Sequence, residues 1–571
     1  MRERIRMNNI FDEIRADIRS VTKKACDACL AAGNFTVEPI PEISLEMPRE
    51  KGFGDFSTNL AMQMAKGAKM PPRRVAEHLI AAMVLSGTGI EKVEMAGPGF
   101  INFTLTPTWM QEAMRLILAK GNDYGQLDIG RGKRVNVEFV SANPTGPLHM
   151  GNARGGALGD CIAGVLTKAG YEVTREFYIN NAGNQIEKLG LSLEARYLQQ
   201  LQGEDSFAFP EDAYHGEDIT EHAKDYIAAY GDALLGVPSE DRRRTLAEYA
   251  LPINLQRIRE GLARYGIEFD VWFSEKSLYE GGEVAETLAW LQENGFTTEK
   301  DGAVWLSGEK TGLEKDEVLI RANGLPTYMA ADIAYHRNKL QIRKFDWAID
   351  LWGADHHGHV ARMHAGMAPF GIGKDQLEIV LFQLVRLYRN GEIARMSKRT
   401  GKAISLGDLL DEVGRDAARF FFNLKTAGSH LDFDLDLAVK QSNENPVFYV
   451  QYAHARISNI IRRLREEEGI TLLPVAEVDL SLLSAPEEFA LMRKLAEYPE
   501  EVGIAAKGLE PSRLTRYVMD VAAEFHSFYN ACRVKGEAME LLQARLTLVE
   551  CTRVVIRNVL DLIKIDAPER M

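Results

Sequence analysis

The sequence predicts an α/β architecture: a central domain on a parallel sheet, preceded by a small α+β domain and followed by an all-α helical bundle. Three observations carry this. From Gly130 onward, short β-branched and apolar runs alternate with helical-period segments, as in strands joined by crossover helices. Before that point, short helical patterns mix with a strand, a Pro-Gly turn and an alternating strand at Val93–Leu105. After Asn445 the helical period is almost unbroken. The 571 residues suit about three or four units, placed here at 1–120, 121–445 and 446–571.

Taken in order, Met1–Gly33 reads as a helix with Ile5, Ile10, Phe11, Ile14, Ile18, Val21 and Ala25 on one face. Pro39–Pro48 is extended, Glu50–Thr58 is a glycine-punctuated turn, and helices follow at 59–66, 73–83 and 108–120. In the central domain, strands are expected at Val135–Ser141, Val173–Ile179, Ala303–Leu306, Glu317–Arg321, Trp347–Leu351 and Leu377–Leu384. An acidic segment, followed by helical Arg243–Tyr265, breaks this rhythm and reads as an insertion near 195–275. Thr327–Asn338 reads as a helix. Helices at 446–467, 486–498, 511–530 and 537–560 make up the final bundle, with Pro446 suited to the first turn of its helix.

The formal charge is −14, so no global basic field points to nucleic acid. The charge is uneven, however. Between Leu201 and Asp241 eleven acidic residues accompany Lys224 alone, which leaves the rest nearly balanced and a local basic groove possible. Five cysteines in so long a chain are no disulfide framework and fit a reducing cytosol. Cys26 and Cys29 fall within the first helix and read as small buried residues. With no signal-peptide pattern and no membrane-length apolar run, a soluble cytoplasmic protein is expected.

The chemistry concentrates at S-A-N-P-T-G-P-L-H-M-G-N, residues 141–152. A strand runs into a turn at Asn143, Pro144 and Gly146, and a helix starts near His149 and Gly151. A helix mouth offers unpaired N–H groups and partial positive charge, which suit phosphate. His149 adds a donor, and Gly151 leaves room for a base or ribose. Alone, this is a helix start with a histidine. A second device is A-R-M-S-K-R-T-G-K-A at 394–403, a cationic loop able to neutralise a triphosphate; alone, it is an ordinary basic loop. Asp355, His356, His357 and His359 invite a zinc reading, but adjacent residues on one loop rarely converge on one ion, so no metal site is expected.

Together the two devices resemble the paired signatures of class I aminoacyl-tRNA synthetases. The wording around them is similar to arginyl-tRNA synthetase: V-E-F-V-S-A-N-P-T-G-P-L-H-M-G-N at 137–152, E-K-G-F-G-D-F-S-T-N-L-A at 50–61, G-P-G-F-I-N-F-T-L at 97–105, Y-I-N-N-A-G-N-Q at 178–185 and N-P-V-F-Y-V-Q-Y-A-H-A-R at 445–456. The resemblance covers nearly the whole chain. It departs from the family at Asn152, where the first signature ends in histidine, and at Arg395 and Arg399 in the second.

The resemblance implies a Rossmann-type catalytic domain, an N-terminal tRNA-binding domain and an anticodon-binding bundle. It implies an arginine–tRNA ligase that forms arginyl-adenylate from arginine and magnesium-bound ATP, then charges the terminal adenosine of its tRNA. The expected form is a monomer. His149, Asn152 and Lys398 would be catalytic, and Pro147, Gly151, Asp355, His356, Met396 and Ser397 would join them around ATP. Glu138, Tyr328 and Asp332 would face the guanidinium, with Ser141 and Asn143 at the α-amino and carboxylate end. A guanidinium demands carboxylates placed for paired hydrogen bonds, and Tyr328 and Asp332 share one helix face by their spacing of four. Phe53, Tyr449, Tyr452 and Arg456 would touch tRNA; aromatic, amide and cationic groups at 449–456, with Gln451 and His454 among them, stack on and bond unpaired bases, while Arg462, Arg463 and Arg465 suit phosphate. Three readings stay beside this one: a class I synthetase for another amino acid, a small nucleotidylyl transferase, and a non-catalytic tRNA-binding relative.

Overall fold

The computed structural model describes residues 9–48, 52–211, 213–394 and 404–571. Helix Ile10–Ala31 opens the N-terminal domain, capped by Asn9, whose side chain accepts from the Phe11 amide. Its face of Ile14, Ile18, Val21, Ala25, Cys26 and Cys29 is buried. It belongs with a three-stranded antiparallel sheet, Phe56–Thr58, Ile90–Ala96 and Phe100–Leu105, in which the last strand lies between the other two. Gly99, at φ 140°, makes the turn into the central strand, where a Cβ would strike Pro72 at 2.8 Å.

The central sheet has five parallel strands: β1 (Arg134–Glu138), β2 (Glu172–Ile179), β3 (Val271–Ser274), β4 (Trp347–Gly353) and β5 (Leu377–Phe382), in the order β5-β4-β1-β2-β3. Helix α1 (Met150–Lys168) crosses from β1 to β2. Its glycines let it lie close: a Cβ on Gly155, Gly156 or Gly159 would meet Phe382, Ile267 or Phe139 at 2.8, 2.9 or 2.2 Å. β1 ends at Glu138, earlier than its apolar run suggested, because Val140 and Ser141 take left-handed backbone conformations.

Ala303–Leu306 and Glu317–Ile320, expected in the parallel sheet, lie outside it. With Thr297–Lys300 they form a separate antiparallel sheet. The link between them is too short for a parallel crossover, so Leu306 folds back opposite Glu317. β3 was hidden because it is short and does not alternate in polarity.

The acidic segment lies in a lobe of three helices, α2 (Asn184–Gln202), α3 (Glu217–Tyr230) and α4 (Ser239–Arg264). The lobe has its own core of Leu189, Leu193, Tyr197, Ile219, Tyr226 and Leu246. Helix α5 (Tyr328–Arg337) and helix α6 (His357–Met367) flank β4 in the chain. The C-terminal bundle comprises Pro446–Glu468, Pro486–Ala496, Tyr498–Gly508, Ser512–Ala531 and Met539–Leu562. It meets the N-terminal domain through Arg493 on Asp55 and Arg15 on Glu500. Among the described residues no helix is long and apolar enough to cross a membrane.

Candidate active site

The carboxyl ends of β1, β2, β3 and β4 converge, which is where open α/β sheets place ligands. β1 delivers Glu138 there, and the chain then turns through Val140 (φ 69°) and Ser141 (φ 38°). A β-branched residue in that region is strained. Ser141 holds the bend: its Oγ donates to Glu138 Oε1 at 2.8 Å and accepts the Tyr178 amide at 3.1 Å.

At the mouth of α1, His149 is the N-cap. Its Nδ1 accepts the Gly151 amide at 3.2 Å, and its own amide donates to Asn152 Oδ1 at 3.1 Å. Two consequences follow. An acceptor Nδ1 puts the imidazole proton on Nε2, and the carbonyl of Asn152 is used inward, which leaves its NH2 as a donor for a ligand. Burial lowers the His149 pKa below the usual histidine value, favouring this neutral donor form. Any side chain at Gly151 would press on the His149 ring, its Cβ 3.3 Å from Cε1.

The second signature, including Met396, Ser397 and Lys398, lies outside the described residues. Its exit does not. Ile404–Leu406 returns to the first signature, Ser405 bridging His149 and the Leu406 amide donating to Leu148 O at 2.8 Å. Ser405 then caps its own helix together with Asp408. The chain immediately after the second signature is therefore held against the first.

Beneath the turn, strand register aligns three carboxylates: Glu176 on β2, Glu138 on β1 and Asp350 on β4. All are buried, and each has a resident cation. Lys339, fully buried, donates to Glu138 Oε2 at 2.5 Å and Asp350 Oδ1 at 2.7 Å. His336 Nε2 meets Asp350 Oδ2 at 2.5 Å. Arg343 grips Glu176 with both of its terminal nitrogens, at 2.5 and 2.7 Å. Burial raises the Glu138 pKa against the opposing pull of Lys339. Around Asp350 burial acts the same way but is overcome by Lys339 and His336, which hold it below the usual carboxylate range.

A second acidic group is paired differently. Asp332, on α5, accepts from His359 Nε2 at 2.9 Å and is partly exposed. Tyr328, one turn earlier, is 44% exposed, its hydroxyl 3.3 Å from where a Cβ on Gly183 would sit. Glu275 follows β3 and is only 2% exposed. The Ala182 amide and the Tyr178 hydroxyl are its near polar neighbours, and its Oε2 has no hydrogen-bond partner among the described residues. Burial, then the nearby charge of Asp332, pushes its pKa up to about 7. Burial and the charges of Glu275, Asp332 and Glu138 likewise raise the Tyr178 pKa.

The structure thus gathers Glu138, Ser141, His149, Gly151 and Asn152 within one turn and its flanks. Asn143 and Pro147 lie on that turn and are exposed, as are Asp355 and His356 at the end of β4. Sequence reasoning missed Glu275, Lys339, Asp350, His336 and Glu176. Only His336, one turn after Asp332, had a spacing that hinted at it.

Toward the other predicted contacts, Phe53 is exposed on a depression of about 350 Å³ that Phe100 and Asn102 also line. In the bundle, Arg456 lies over Tyr529 at 4.4 Å, Tyr449 beside His526 at 5.1 Å, and Tyr452 stacks on Phe448. Gln451 and His454 serve a different purpose from base contact. Gln451 donates to Asp416 and to the Asp566 carbonyl, and the wholly buried His454 meets Pro568 O at 2.8 Å, so both tie down the C-terminal tail.

Comparison with known proteins gives the class first: residues 113–459 match the catalytic domain of the class I (R) tRNA synthetases. Residues 12–105 match the arginyl-tRNA synthetase N-terminal domain, and 450–571 the DALR anticodon-binding domain. Arginine–tRNA ligases of Ruminiclostridium cellulolyticum and Acetivibrio thermocellus are 63% and 64% identical to this chain, over 99% of it and 100% of each of them. A putative arginyl-tRNA synthetase structure from Campylobacter jejuni is 34% identical, with a TM-score of 0.74, over 82% of this chain and all of that one. The Thermus thermophilus arginyl-tRNA synthetase shares the fold at 24% identity, with a TM-score of 0.73, over 97% of this chain and all of that one. The chain belongs to the arginyl-tRNA synthetase family.

Proposed function

We propose that the sheet ends hold ATP and arginine side by side, the nucleotide at the mouth of α1 and the guanidinium between Glu275 and Asp332. The reaction is that of an arginine–tRNA ligase: arginine's carboxylate attacks the α-phosphate of ATP, pyrophosphate leaves, and the arginyl group passes to the 3′-terminal adenosine of tRNA. The observation that carries the arginine assignment is the buried Glu275 with a free oxygen next to Asp332. Two carboxylates that have no lysine or arginine partner among the described residues suit a ligand that is always cationic and has five N–H donors. Tyr328 borders them. Glu138, engaged by Ser141 and Lys339, adds negative potential, and Ser141 and Asn143 lie at the amino acid's polar end.

His149 Nε2–H, the Asn152 amide and the backbone at Gly151 meet phosphate, Pro147 lies alongside, and Asp355 and His356 border the adenosine. Met396, Ser397 and Lys398 complete the contacts to ATP. Adenylate formation is an in-line displacement, so these groups position and neutralise; no enzyme nucleophile is required. ATP arrives as its magnesium complex, the ion held by phosphate oxygens. The protein acts as a monomer in the cytoplasm. Phe53 and its depression accept a tRNA base, and Tyr449, Tyr452 and Arg456 meet the anticodon loop.

Charging of total tRNA with labelled arginine tests the assignment. Pyrophosphate exchange with tRNA present extends the test across amino acids. Strong exchange with glutamate or cysteine and none with arginine overturns it, and no charging at all favours a binding-only relative.

A further inference from the structure

Residues 142–147 connect the amino-acid side of the site to the ATP side; Ala142 and the buried Pro144 pack inward, but few hydrogen bonds fix the backbone. The turn is entered through two left-handed residues, Val140 and Ser141. Two of its members, Pro144 and Pro147, lack an N–H. Among the described residues a single hydrogen bond reaches it: Asn254 Nδ2 donates to the Pro144 carbonyl at 3.0 Å. Asn254 belongs to α4 of the acidic lobe and is 3% exposed. His222, on α3 of the same lobe and also buried, fixes that amide, its Nε2–H donating to Asn254 Oδ1 at 2.7 Å. A carbonyl accepts only, so Nδ2 must face Pro144 and His222 must carry its proton on Nε2. Asp218 of the lobe approaches as well, 3.8 Å from where a Cβ on Gly146 would sit.

We propose that the acidic lobe is a brace for this turn, and that Asn254 and His222 are positioning residues for adenylate formation. The inference rests on the reading that the turn and the mouth of α1 face ATP. A turn with no ladder bonds of its own takes its geometry from outside. Small displacements of groups that align reactants cost large factors in rate. The lobe's buried pair supplies that geometry, although its outer surface is acidic and turned to solvent.

The test uses the full-length protein in tRNA-dependent pyrophosphate exchange, with thermal unfolding measured alongside. Asn254→Ala is expected to lower kcat about tenfold, with the KM for arginine unchanged and the unfolding midpoint within about 2 °C of wild type. His222→Ala is expected to lose less. His222→Gln, whose amide can reach the same acceptor, is expected to recover most of the rate. Wild-type kcat in folded Asn254→Ala overturns the proposal, as does a loss that only tracks a lower midpoint and disappears on cooling. If Asn254→Ala does not fold, the His222 pair decides, and equal rates for Ala and Gln overturn it. His149→Ala separates the two readings. If it abolishes exchange while Asn254→Ala does not, the brace alone fails; if it leaves exchange intact, the ATP reading fails.

Discussion

Arginine affinity should depend on pH through Glu275. Its carboxyl is pushed from the ordinary 4.5 up to about 7 by burial and by the Asp332 charge. Holding it there corresponds to about 3 kcal/mol against the charged form. The sign is fixed by linkage. The empty folded protein binds this proton more tightly than the unfolded chain, so its contribution to stability is fully present below 4.5 and is lost as pH rises through about 7. Arginine reverses the preference, because a guanidinium on Glu275 favours the carboxylate. Binding at neutral pH therefore expels about half a proton, and affinity falls roughly 30-fold between about pH 8 and about pH 5.5. Calorimetric titration of arginine, repeated in buffers of different ionisation enthalpy, measures both. Glu275→Gln should bind about 10- to 100-fold more weakly at neutral pH and lose the slope. A wild-type affinity that is flat across this window, or a slope retained in Glu275→Gln, refutes the placement of Glu275 at the guanidinium.

Other perturbations follow from the same geometry. Asp332→Asn keeps the shape at His359 but removes the charge, and arginine affinity by titration should drop roughly 30-fold; unchanged affinity removes Asp332 from the pocket. Lys339→Met leaves Glu138 without its cation and Asp350 with His336 alone, so thermal or urea unfolding should show a loss of about 3–5 kcal/mol. Lys398→Ala should slow adenylate formation about 100-fold or more with little change in ATP affinity, because its cation acts on charge that develops in transfer. Equal losses in rate and binding would count against that role.

The parts of the site legible in the sequence were those fixed by backbone chemistry. The helix mouth at His149 announced itself through Pro144, Gly146 and Gly151, and the four-residue spacing of Tyr328 and Asp332 is a property of any helix. What could not be read depends on which strands become neighbours. Glu176, Glu138 and Asp350 are far apart in the chain, and only the order β4-β1-β2 aligns them. Lys339 gives no local sign of being fully buried, since its partners arrive from that same alignment. Glu275 was lost with β3, too short to show a period. Tyr498–Gly508 was missed because Pro499 reads as the end of the preceding helix, whereas it occupies the first turn of a new one.

The two sets of carboxylates explain how one acidic cleft can remain folded and still select a cation. Five acidic side chains near the sheet ends would repel one another if all were left bare. The fold assigns resident cations to three: Arg343 to Glu176, Lys339 to Glu138 and Asp350, and His336 to Asp350 again. These fix the sheet ends and are not available to exchange for a ligand without leaving buried charge behind. Among the described residues Glu275 and Asp332 have no lysine or arginine partner; their polar company is a tyrosine hydroxyl, an amide and His359. Lysine would place one ammonium where two acceptors are spread, and a neutral isostere would leave both without a cation. Selectivity for arginine on this view comes less from the number of acidic groups than from which of them, among the described residues, the fold has left without a lysine or arginine.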